Sequence, residues 1–339
     1  MKKITFAFIL AITFSQAKAQ TPDSVRIFLD SALNILQHNS IYTDKVNWKI
    51  VRDSTYLLAK DAKNYNDTRS ALQFAFNSLG DKHGWLVLDD QEYRNPNFKP
   101  DTSRISDNIK YVASKGPKLY NGIIDNKFAY ISIPFFGGQT AEAMANFAQR
   151  IQDSLCKNVT TETKGFIIDL RLNAGGNMFP MYAGISNIYG DGLVSETKDN
   201  KGNTTGKSSI KGNGILINDS IFTALKNNCG DFSKYPVAVL IGPVTGSAGE
   251  CLAAGLHARS NTILIGEVTA GYTTGNLGFL LPGTNNGIVI GVDVLRDKTG
   301  KEYLENVKPD VEIIGDDFFG QANDKKIQAA VKWLNEKMQ

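Results

Sequence analysis

Cysteine and histidine are scarce in this sequence, and their scarcity limits the chemistry that the chain can perform. The 339 residues include three cysteines and three histidines. No two of them have the spacing of a metal-binding motif, so we expect neither a metal nor any other cofactor. One disulfide among Cys156, Cys229 and Cys251 is compatible with an oxidising compartment, and Cys251 is expected to behave as a small core residue.

A basic excess is also missing once the first residues are set aside. The formal net charge is +3, but Lys2, Lys3 and Lys18 lie in a segment that we expect to be removed, which leaves the rest near neutrality. Surfaces that bind nucleic acids need a basic face. The composition therefore predicts no nucleic-acid partner.

The first residues have the pattern of a secretory signal peptide. A short basic start precedes an apolar run at residues 4–14, and Ala17 and Ala19 supply small residues before a cleavage site at Gln20. The run has about 11 residues, against the ~20 that a spanning helix needs, which disfavours a membrane anchor. No later stretch is long and apolar enough to span a bilayer. We therefore expect a signal peptide at residues 1–19 and a secreted or periplasmic protein.

The remaining chain divides by pattern into a helical N-terminal domain, residues 20–82, and a larger core, residues 83–339. In the first part, apolar residues recur at the three- and four-residue spacing of a buried helix face. In the second part, strand-like and helix-like segments alternate, which predicts an α/β core. A long polar loop is expected at about residues 89–118.

Within the core, continuous apolar runs at residues 166–170 and 237–242 predict strands that are buried on both faces. Residues 195–214 predict a hairpin or strap on the surface. Further strands are predicted at residues 127–134, 262–268, 278–281 and 287–295, and helices at residues 141–155, 178–189, 220–227 and 321–337.

Ser247 is the leading candidate for a nucleophile. It lies in the segment TGSAGE, where an apolar run ends in a small-residue turn and a helical pattern begins. A hydroxyl at a helix N-terminus suits acyl transfer, because the unpaired N–H of Ala248 and the helix dipole would both stabilise an oxyanion. The alternative is an ordinary N-cap serine. Thr245 stands two residues before the serine, so the segment is not the GxSxG elbow of an α/β-hydrolase.

The turn at Asn173, Ala174, Gly175 and Gly176 follows a buried strand and is a candidate for the other half of an oxyanion hole. The two glycines allow positive φ and leave their N–H groups unobstructed. The alternative is a simple turn between a strand and a helix.

His83 is the best placed of the three histidines to act as a general base, a role that near neutral pH falls most easily to histidine. It lies in a short loop between a helix and an apolar segment, and catalytic residues are often found on such loops. His38 lies at the end of a predicted helix, and His257 follows Ser247 by ten residues, about 15 Å along a helix. An ordinary surface histidine is the alternative for His83.

Several segments, in the same order along the chain, resemble one family. DLRLNAGG, TGSAGE, IGEVTAG and ENVKPDV look like the core of the tail-specific (C-terminal processing) and tricorn serine peptidases, a group that includes the interphotoreceptor retinoid-binding domains. LGDKHGWL is similar to the histidine-bearing loop of the tricorn-like branch. The resemblance covers residues 79–311 and implies a crotonase-like (ClpP/crotonase) spiral core of α/β class.

Two departures from the Ser–Lys branch of this family point to the tricorn-like branch, in which a histidine is the base. Tyr272 stands where the other branch has its lysine, and residues 84–168 are too few to hold a PDZ domain besides the predicted strand and helix. The resemblance implies a serine peptidase that cleaves peptide or protein substrates through an acyl-enzyme. It implies Ser247 as nucleophile, His83 as general base, Glu305 as the acidic residue that orients the site, and Gly175 or Gly176 with Ala248 as the oxyanion hole.

Lys82 is the main departure from the tricorn pattern, which has a serine directly before the histidine to bridge it to the acidic residue. A cation cannot accept a hydrogen bond from the imidazole. We therefore expect another group to orient His83. The alternative hypothesis is a weak or inactive protein that binds peptides or apolar ligands on the same core. The sequence leaves the oligomeric state open.

Overall fold

The computed structural model describes residues 21–116 and 118–338. The signal peptide predicted at residues 1–19 lies outside the described residues. The chain has a mixed α/β fold built on two sheets. No helix in the described part of the chain combines the length and apolar character needed to cross a bilayer.

Helices and strands alternate along the chain, with short 3-10 helices between some of them. The helices are α1 (Asp23–Asn39), α2 (Trp48–Leu58), α3 (Arg69–Asn77), α4 (Asp107–Ser114), α5 (Ala141–Cys156), α6 (Met178–Gly184), α7 (Ser186–Tyr189), α8 (Ala248–His257) and α9 (Lys325–Glu336). The strands are β1 (Trp85–Leu88), β2 (Gln91–Tyr93), β3 (Tyr120–Ile124), β4 (Phe128–Ser132), β5 (Gly165–Asp169), β6 (Gly192–Lys198), β7 (Thr204–Lys211), β8 (Gly214–Ile217), β9 (Ser220–Ala224), β10 (Val237–Ile241), β11 (Thr262–Gly266), β12 (Thr274–Leu280), β13 (Gly287–Asp297), β14 (Glu302–Tyr303) and β15 (Val311–Glu312).

The first three helices form the helical region that the apolar spacing predicts. They bury their apolar faces against β1 and β13 in a hydrophobic cluster that includes Phe28 and Phe76. The Asn47 side chain caps α2 by accepting an N–H of its first turn at 3.2 Å. After α3, Gly80 takes a φ of +67° and turns the chain toward β1. The helices therefore fix the start of the loop that carries His83.

The six-stranded sheet has the order β15-β11-β10-β5-β4-β3 and is parallel except for β3. β5 and β10, which the apolar runs predict, pair with each other, and every residue of both strands is buried. One face of the sheet packs against α5, α6 and α8, and the other packs against α9. Because β5 and β10 run in the same direction, the turns that follow them lie side by side at one edge of the sheet.

The second sheet is antiparallel and has the order β2-β1-β13-β6-β7-β8-β9, with β12 and β14 also paired to β13. β6 and β7 form the hairpin predicted at residues 195–214. β8 and β9 lie against α6. The long strand β13 therefore connects the region of the N-terminal helices to the region of the hairpin.

Residues 220–227, predicted as a short helix, instead contain strand β9, so that prediction is wrong. Asn218 and Asp219 both have positive φ, +48° and +65°, and form a tight turn that returns the chain onto β8. Two consecutive residues with positive φ suit a two-residue hairpin turn. The β-branched and aromatic residues that follow fit a strand better than a helix.

The segment at residues 89–118, predicted as a long polar loop, contains β2 and α4, so that prediction is wrong for these elements. The Ser106 side chain caps α4 by accepting the N–H of Ile109 at 3.2 Å. Ile109 is fully buried and anchors the helix. A single cap and a single apolar anchor are enough to place this short helix, although its composition is polar.

Cys156 and Cys229 form a disulfide, with their Cα atoms 5.7 Å apart, and Cys251 is free. The disulfide ties the end of α5 to the loop after β9. Burial raises the pKa of the Cys251 thiol to about 12, and the charge of Glu250 adds to the rise. Cys251 is therefore a neutral thiol at physiological pH.

A cluster of buried charges joins the parallel sheet to the C-terminal helix. Arg171, two residues after β5, is fully buried and contacts Asp169 at 2.6 Å, Asp317 at 2.9 Å and Asp324 at 2.7 Å. Lys326 on α9 is also fully buried and contacts Asp317 at 2.6 Å. Two of the three carboxylates that pair with Arg171, Asp317 and Asp324, lie in the segment before α9, so this segment has to dock on the core for Arg171 to find its partners.

We predict that Arg171→Met lowers the free energy of unfolding by about 3–5 kcal/mol, because it leaves buried carboxylates without their cation. Urea-induced unfolding followed by circular dichroism measures the loss. Lys49→Ala is the control, because it removes an exposed ion pair with Asp53 and should cost less than ~1 kcal/mol. Equal losses in the two variants would contradict a structural role for the buried cluster.

Candidate active site

Ser247 lies at the N-terminus of α8, as the sequence predicts. It is the residue before the first helical residue, with a φ of +49° and a ψ of −115°. A residue with a β-carbon rarely takes this conformation, which costs on the order of 1–3 kcal/mol and persists only where the surroundings enforce it. The Ser247 side chain lines an open cleft. The strained turn therefore presents the hydroxyl at the protein surface.

The turn before Ser247 is bonded to the turn after β5. The buried hydroxyl of Thr245 donates to the carbonyl of Leu170 at 2.9 Å. The N–H of Gly246 donates to the carbonyl of Asn173, also at 2.9 Å. These hydrogen bonds join the two turns that the parallel pairing of β5 and β10 brings together, and they hold Ser247 against the loop that contains Gly175.

Glu250, in the first turn of α8, fixes the backbone of Ser247 from the other side. Its buried carboxylate accepts the N–H groups of Ser247 at 2.9 Å, Gly271 at 2.8 Å and Tyr272 at 2.7 Å, and the hydroxyl of Thr269. Burial raises the pKa of the Glu250 carboxyl, and the four donors oppose this rise. Glu250 thus locks the segment that follows β11 against the start of α8.

Asp81 shapes the loop that carries His83. Its fully buried carboxylate accepts the N–H groups of His83 at 2.8 Å, Gly84 at 2.9 Å and Gly291 at 2.8 Å. Gly84 has no room for a side chain, because a Cβ there would lie 2.6 Å from the carbonyl oxygen of Val289. The loop is therefore fastened to β13, and His83 is not an ordinary surface-loop histidine.

The ring of His83 is oriented by Thr274, the first residue of β12. Nδ1 of His83 lies 3.0 Å from both the carbonyl oxygen and the hydroxyl of Thr274. A carbonyl can only accept, so an Nδ1–H that donates to it leaves Nε2 unprotonated. Burial lowers the pKa of His83, although the charge of Asp81 and the bond to Thr274 oppose the change. The imidazole is therefore neutral near pH 7, with a free lone pair on Nε2.

His83 and Ser247 line the same cleft, which has a volume of about 620 Å³. No hydrogen bond joins the two side chains in the described part of the chain. The ring of Tyr272 packs beside His83, with ring centroids 5.3 Å apart. The apolar wall of the cleft is formed by Met178, Phe179, Ile217 and Phe222. Over residues 21–116 and 118–338, no three His, Cys, Asp or Glu side chains cluster as metal ligands would.

Two backbone N–H groups border the cleft beside Ser247. Gly175 and Gly176 have φ values of +119° and +98°. The N–H of Gly175 donates to the side-chain oxygen of Asn173 at 3.1 Å. The N–H groups of Gly176 and Ala248 have no acceptor among the described residues, and both residues line the cleft. Gly176 and Ala248 are therefore free to donate to a bound group.

The carboxylate of Glu305 has no hydrogen bond to the His83 ring among the described residues. The Glu305 side chain is exposed, and its backbone carbonyl accepts the hydroxyl of Thr273 at 2.7 Å. No hydrogen bond within the described chain joins Lys82 or the Glu305 carboxylate to His83. Thr274 holds Nδ1 instead, and it is the other orienting group that the presence of Lys82 leads us to expect.

Three residues that shape the site have weaker signals in the sequence than Ser247 and His83. Glu250 stands three residues after Ser247, which is the spacing of a capping box. Asp81 stands two residues before His83, where its side chain can accept a local backbone N–H. Thr274 has no local signal, because it lies 191 residues from His83 in the sequence.

The profile of peptidase family S41 matches residues 127–313 of this chain. This range includes Ser247 and both halves of the candidate oxyanion hole, but it begins after His83. Over 319 residues the chain is also 28% identical to the nisin-resistance protein of Lactococcus lactis subsp. lactis, which corresponds to 94% of this chain and 89% of that protein.

Two solved structures share the fold over most of the chain. A lipoprotein from Streptococcus agalactiae aligns with a TM-score of 0.65 and 20% identity, over 98% of this chain and 100% of that one. The photosystem II D1 C-terminal processing protease aligns with a TM-score of 0.58 and 15% identity, over 87% of this chain and 94% of that one. At these identities the likeness demonstrates a common fold.

We predict that Gly175→Ala disturbs the contact between the two turns. A Cβ at this position would lie 2.8 Å from Cβ of Ser247, on a backbone with a φ of +119°. The free energy of unfolding in urea should therefore fall by about 1–3 kcal/mol. Gly122→Ala, on β3, meets nothing within 4 Å and should change it by no more than ~0.5 kcal/mol. A Gly175→Ala protein as stable as this control would contradict the close packing of the turns.

Proposed function

This chain belongs to peptidase family S41 and is a serine-type peptidase, and we propose that Ser247 is its nucleophile and His83 its general base. Family membership confirms the resemblance to the tail-specific and tricorn peptidases that the motifs indicate. The observation that carries the assignment is that a strained serine at a helix N-terminus and a neutral histidine line one cleft. Its substrates are peptides or proteins.

The tautomer of His83 supports its role as the base. Because Nδ1–H donates to Thr274, Nε2 is free to take the proton of the Ser247 hydroxyl as that oxygen attacks the scissile carbonyl. The distance between the two groups closes when substrate binds, since catalytic hydrogen bonds are often long before the substrate is present. His83 then returns the proton to the leaving amine, and water resolves the acyl-enzyme.

The oxyanion of the tetrahedral intermediate accepts the N–H groups of Gly176 and Ala248. Gly175 contributes in a different way, because its N–H already donates to Asn173. Its lack of a side chain lets the two turns approach each other. A single oxyanion-hole donor is typically worth about 3–4 kcal/mol of transition-state stabilisation. The dipole of α8 adds favourable potential at the same place.

Thr274 takes the orienting role that the family pattern gives to an acidic residue. Glu305 acts through its backbone, whose carbonyl holds Thr273 and with it the start of β12. A neutral partner for His83 stabilises the imidazolium less than a carboxylate would. We therefore expect a slower enzyme than one with a carboxylate in that position, and we do not favour the alternative of an inactive binding protein.

The fold and the location of the protein complete the proposal. The parallel sheet and its helices are assigned to a crotonase-like core at residues 83–339, preceded by a helical domain at residues 20–82. The basic and apolar start of the chain supports export by a signal peptide at residues 1–19, so that the peptidase acts outside the cytoplasm, secreted or periplasmic.

We predict that Ser247→Ala lowers turnover of a casein or peptide-library substrate by about 10⁴-fold or more, because the nucleophile is lost. His83→Ala should have an effect of similar size. Lys82→Ala should retain activity, since Lys82 forms no hydrogen bond with the imidazole nitrogens. Thermal unfolding of each variant checks that the fold is intact. Wild-type turnover in Ser247→Ala would refute the mechanism.

A fluorophosphonate probe tests the same assignment without a known substrate. Such a probe modifies a serine only where a base and an oxyanion hole activate it. The wild-type protein should be labelled at Ser247, as located by peptide mass spectrometry. Labelling should be lost in His83→Ala. Labelling at another serine would show that Ser247 is not the nucleophile.

The lowered pKa of His83 predicts the pH dependence of kcat/KM. A base works in its neutral form, and burial keeps the imidazole neutral to a lower pH than usual. The apparent pKa that governs the acid limb of kcat/KM should therefore lie below ~6.5, the ordinary pKa of histidine. An assay from pH 4.5 to 8 with a peptide that has no ionisable side chain measures it. An acid limb at or above neutral pH would contradict this environment for His83.

A further inference from the structure

Asp293 is a charged residue of the active-site cleft that the catalytic mechanism does not use. It lies on β13, opposite Gly275 of β12, and lines the same cleft as Ser247 and His83. Gly275 follows Thr274, whose carbonyl and hydroxyl oxygens lie 3.0 Å from Nδ1 of His83. The pairing of β12 with β13 therefore places Asp293 beside the segment that holds the base.

Burial raises the pKa of the Asp293 carboxyl, although the hydroxyls of Thr205 and Thr197 and the backbone of Gly275 oppose the rise. Oδ2 accepts one hydroxyl, that of Thr205, at 3.2 Å. Oδ1 is shielded from solvent and has no hydrogen-bond donor among the described residues. None of the ion pairs formed by the described residues includes Asp293. A carboxylate held in this way is costly to the fold unless a further donor or cation completes it.

The backbone opposite Asp293 keeps the space for its carboxylate open. A Cβ at Gly275 would lie 2.0 Å from Oδ1 of Asp293. Thr205 is held in turn by Thr197, whose hydroxyl oxygen is 2.8 Å from that of Thr205. Two hydroxyls and a bare glycine therefore hold the carboxylate in place, and none of them neutralises its charge.

The remaining charges of the cleft do not cancel that of Asp293. Glu196 adds a second carboxylate to the lining, and Lys207 adds one ammonium group. His83 is neutral near pH 7, because burial lowers its pKa. In the described chain Lys207 forms no ion pair within 4 Å with either carboxylate. The cleft therefore carries a net negative charge.

We propose that Asp293 makes the enzyme select peptides with a basic side chain, lysine or arginine, next to the scissile bond. This inference rests on the proposed function of Ser247 and His83. Asp293 stands opposite Gly275, next to Thr274, which holds the ring of His83. Its carboxylate lines the same cleft as the Ser247 hydroxyl and is within reach of a long side chain adjacent to the scissile carbonyl. The cation completes the hydrogen bonds that the carboxylate lacks.

Pairs of peptides that differ only in charge test the proposal. In each pair, one quenched fluorescent peptide carries arginine and the other carries citrulline, its neutral isostere, at the same position. A set of such pairs places this residue at each position on either side of the cleavage site. For the wild-type enzyme at pH 8, kcat/KM should favour arginine at one position by about tenfold to a hundredfold. In Asp293→Asn, the ratio of kcat/KM for the arginine peptide to that for the citrulline peptide should fall to near one. The value of kcat/KM for the citrulline peptide should stay within about twofold of the wild-type value.

Two further variants serve as controls for the Asp293→Asn result. Asp293→Ser removes the charge with a smaller side chain and should give the same loss of preference, in case the amide of Asp293→Asn misplaces its neighbours. Glu312→Gln removes an exposed carboxylate on β15, outside the cleft, and should leave the ratio unchanged. Thermal unfolding of all variants establishes that they are folded.

Binding to the Ser247→Ala variant separates this proposal from the catalytic one. Fluorescence anisotropy of the labelled, uncleaved peptides should show the arginine peptide binding more tightly, and Ser247→Ala/Asp293→Asn should abolish the difference. If turnover survives Ser247→Ala, the catalytic assignment fails whatever Asp293 does. If Ser247 is essential but the wild type has no arginine preference, or Asp293→Asn keeps it, the role of Asp293 is refuted and the mechanism stands.

Discussion

The parallel pairing of β5 with β10 is the constraint on which the candidate active site depends. It places the turns that follow these strands side by side, one with the glycines and the other with Ser247. Hydrogen bonds from Thr245 and Gly246 then fasten the two turns to each other. Gly175 permits this approach, because any side chain there would overlap Ser247. A nucleophile and its oxyanion donors are thus positioned by one pair of strands.

Two buried carboxylates set the backbone of the site without taking part in the chemistry. Glu250 accepts hydrogen bonds from the start of α8 and from the segment after β11. Asp81 accepts hydrogen bonds from the His83 loop and from β13. Each exchanges hydration for several fixed hydrogen bonds, which is how a buried carboxylate is accommodated. Because each one joins segments that are far apart in sequence, they couple the position of Ser247 to that of His83 through the two sheets.

The imidazole has a neutral partner, and this affects the electrostatics of the whole cleft. Thr274 fixes the tautomer of His83 but supplies no negative charge. Burial is then the dominant influence on the pKa, and the ring stays neutral. The negative charge of the cleft is instead held on Asp293, which forms no hydrogen bond with the His83 ring. Orientation of the base and attraction of a cationic substrate are therefore assigned to different residues.

The sequence by itself determined the elements with strong local patterns: the first three helices, the buried strands β5 and β10, and the turns that carry Gly175 and Ser247. Those follow from apolar periodicity and from small residues at strand ends, which act over a few positions. The helix predicted in place of β9 and the loop predicted in place of α4 show where one tight turn or one cap outweighs a weak pattern. Only the tertiary structure decided that Thr274, and not the carboxylate of Glu305, holds His83. That choice depends on the pairing of β1 and β12 with the same strand, β13, which brings together two residues 191 positions apart. No pattern in the local sequence indicates such a pairing.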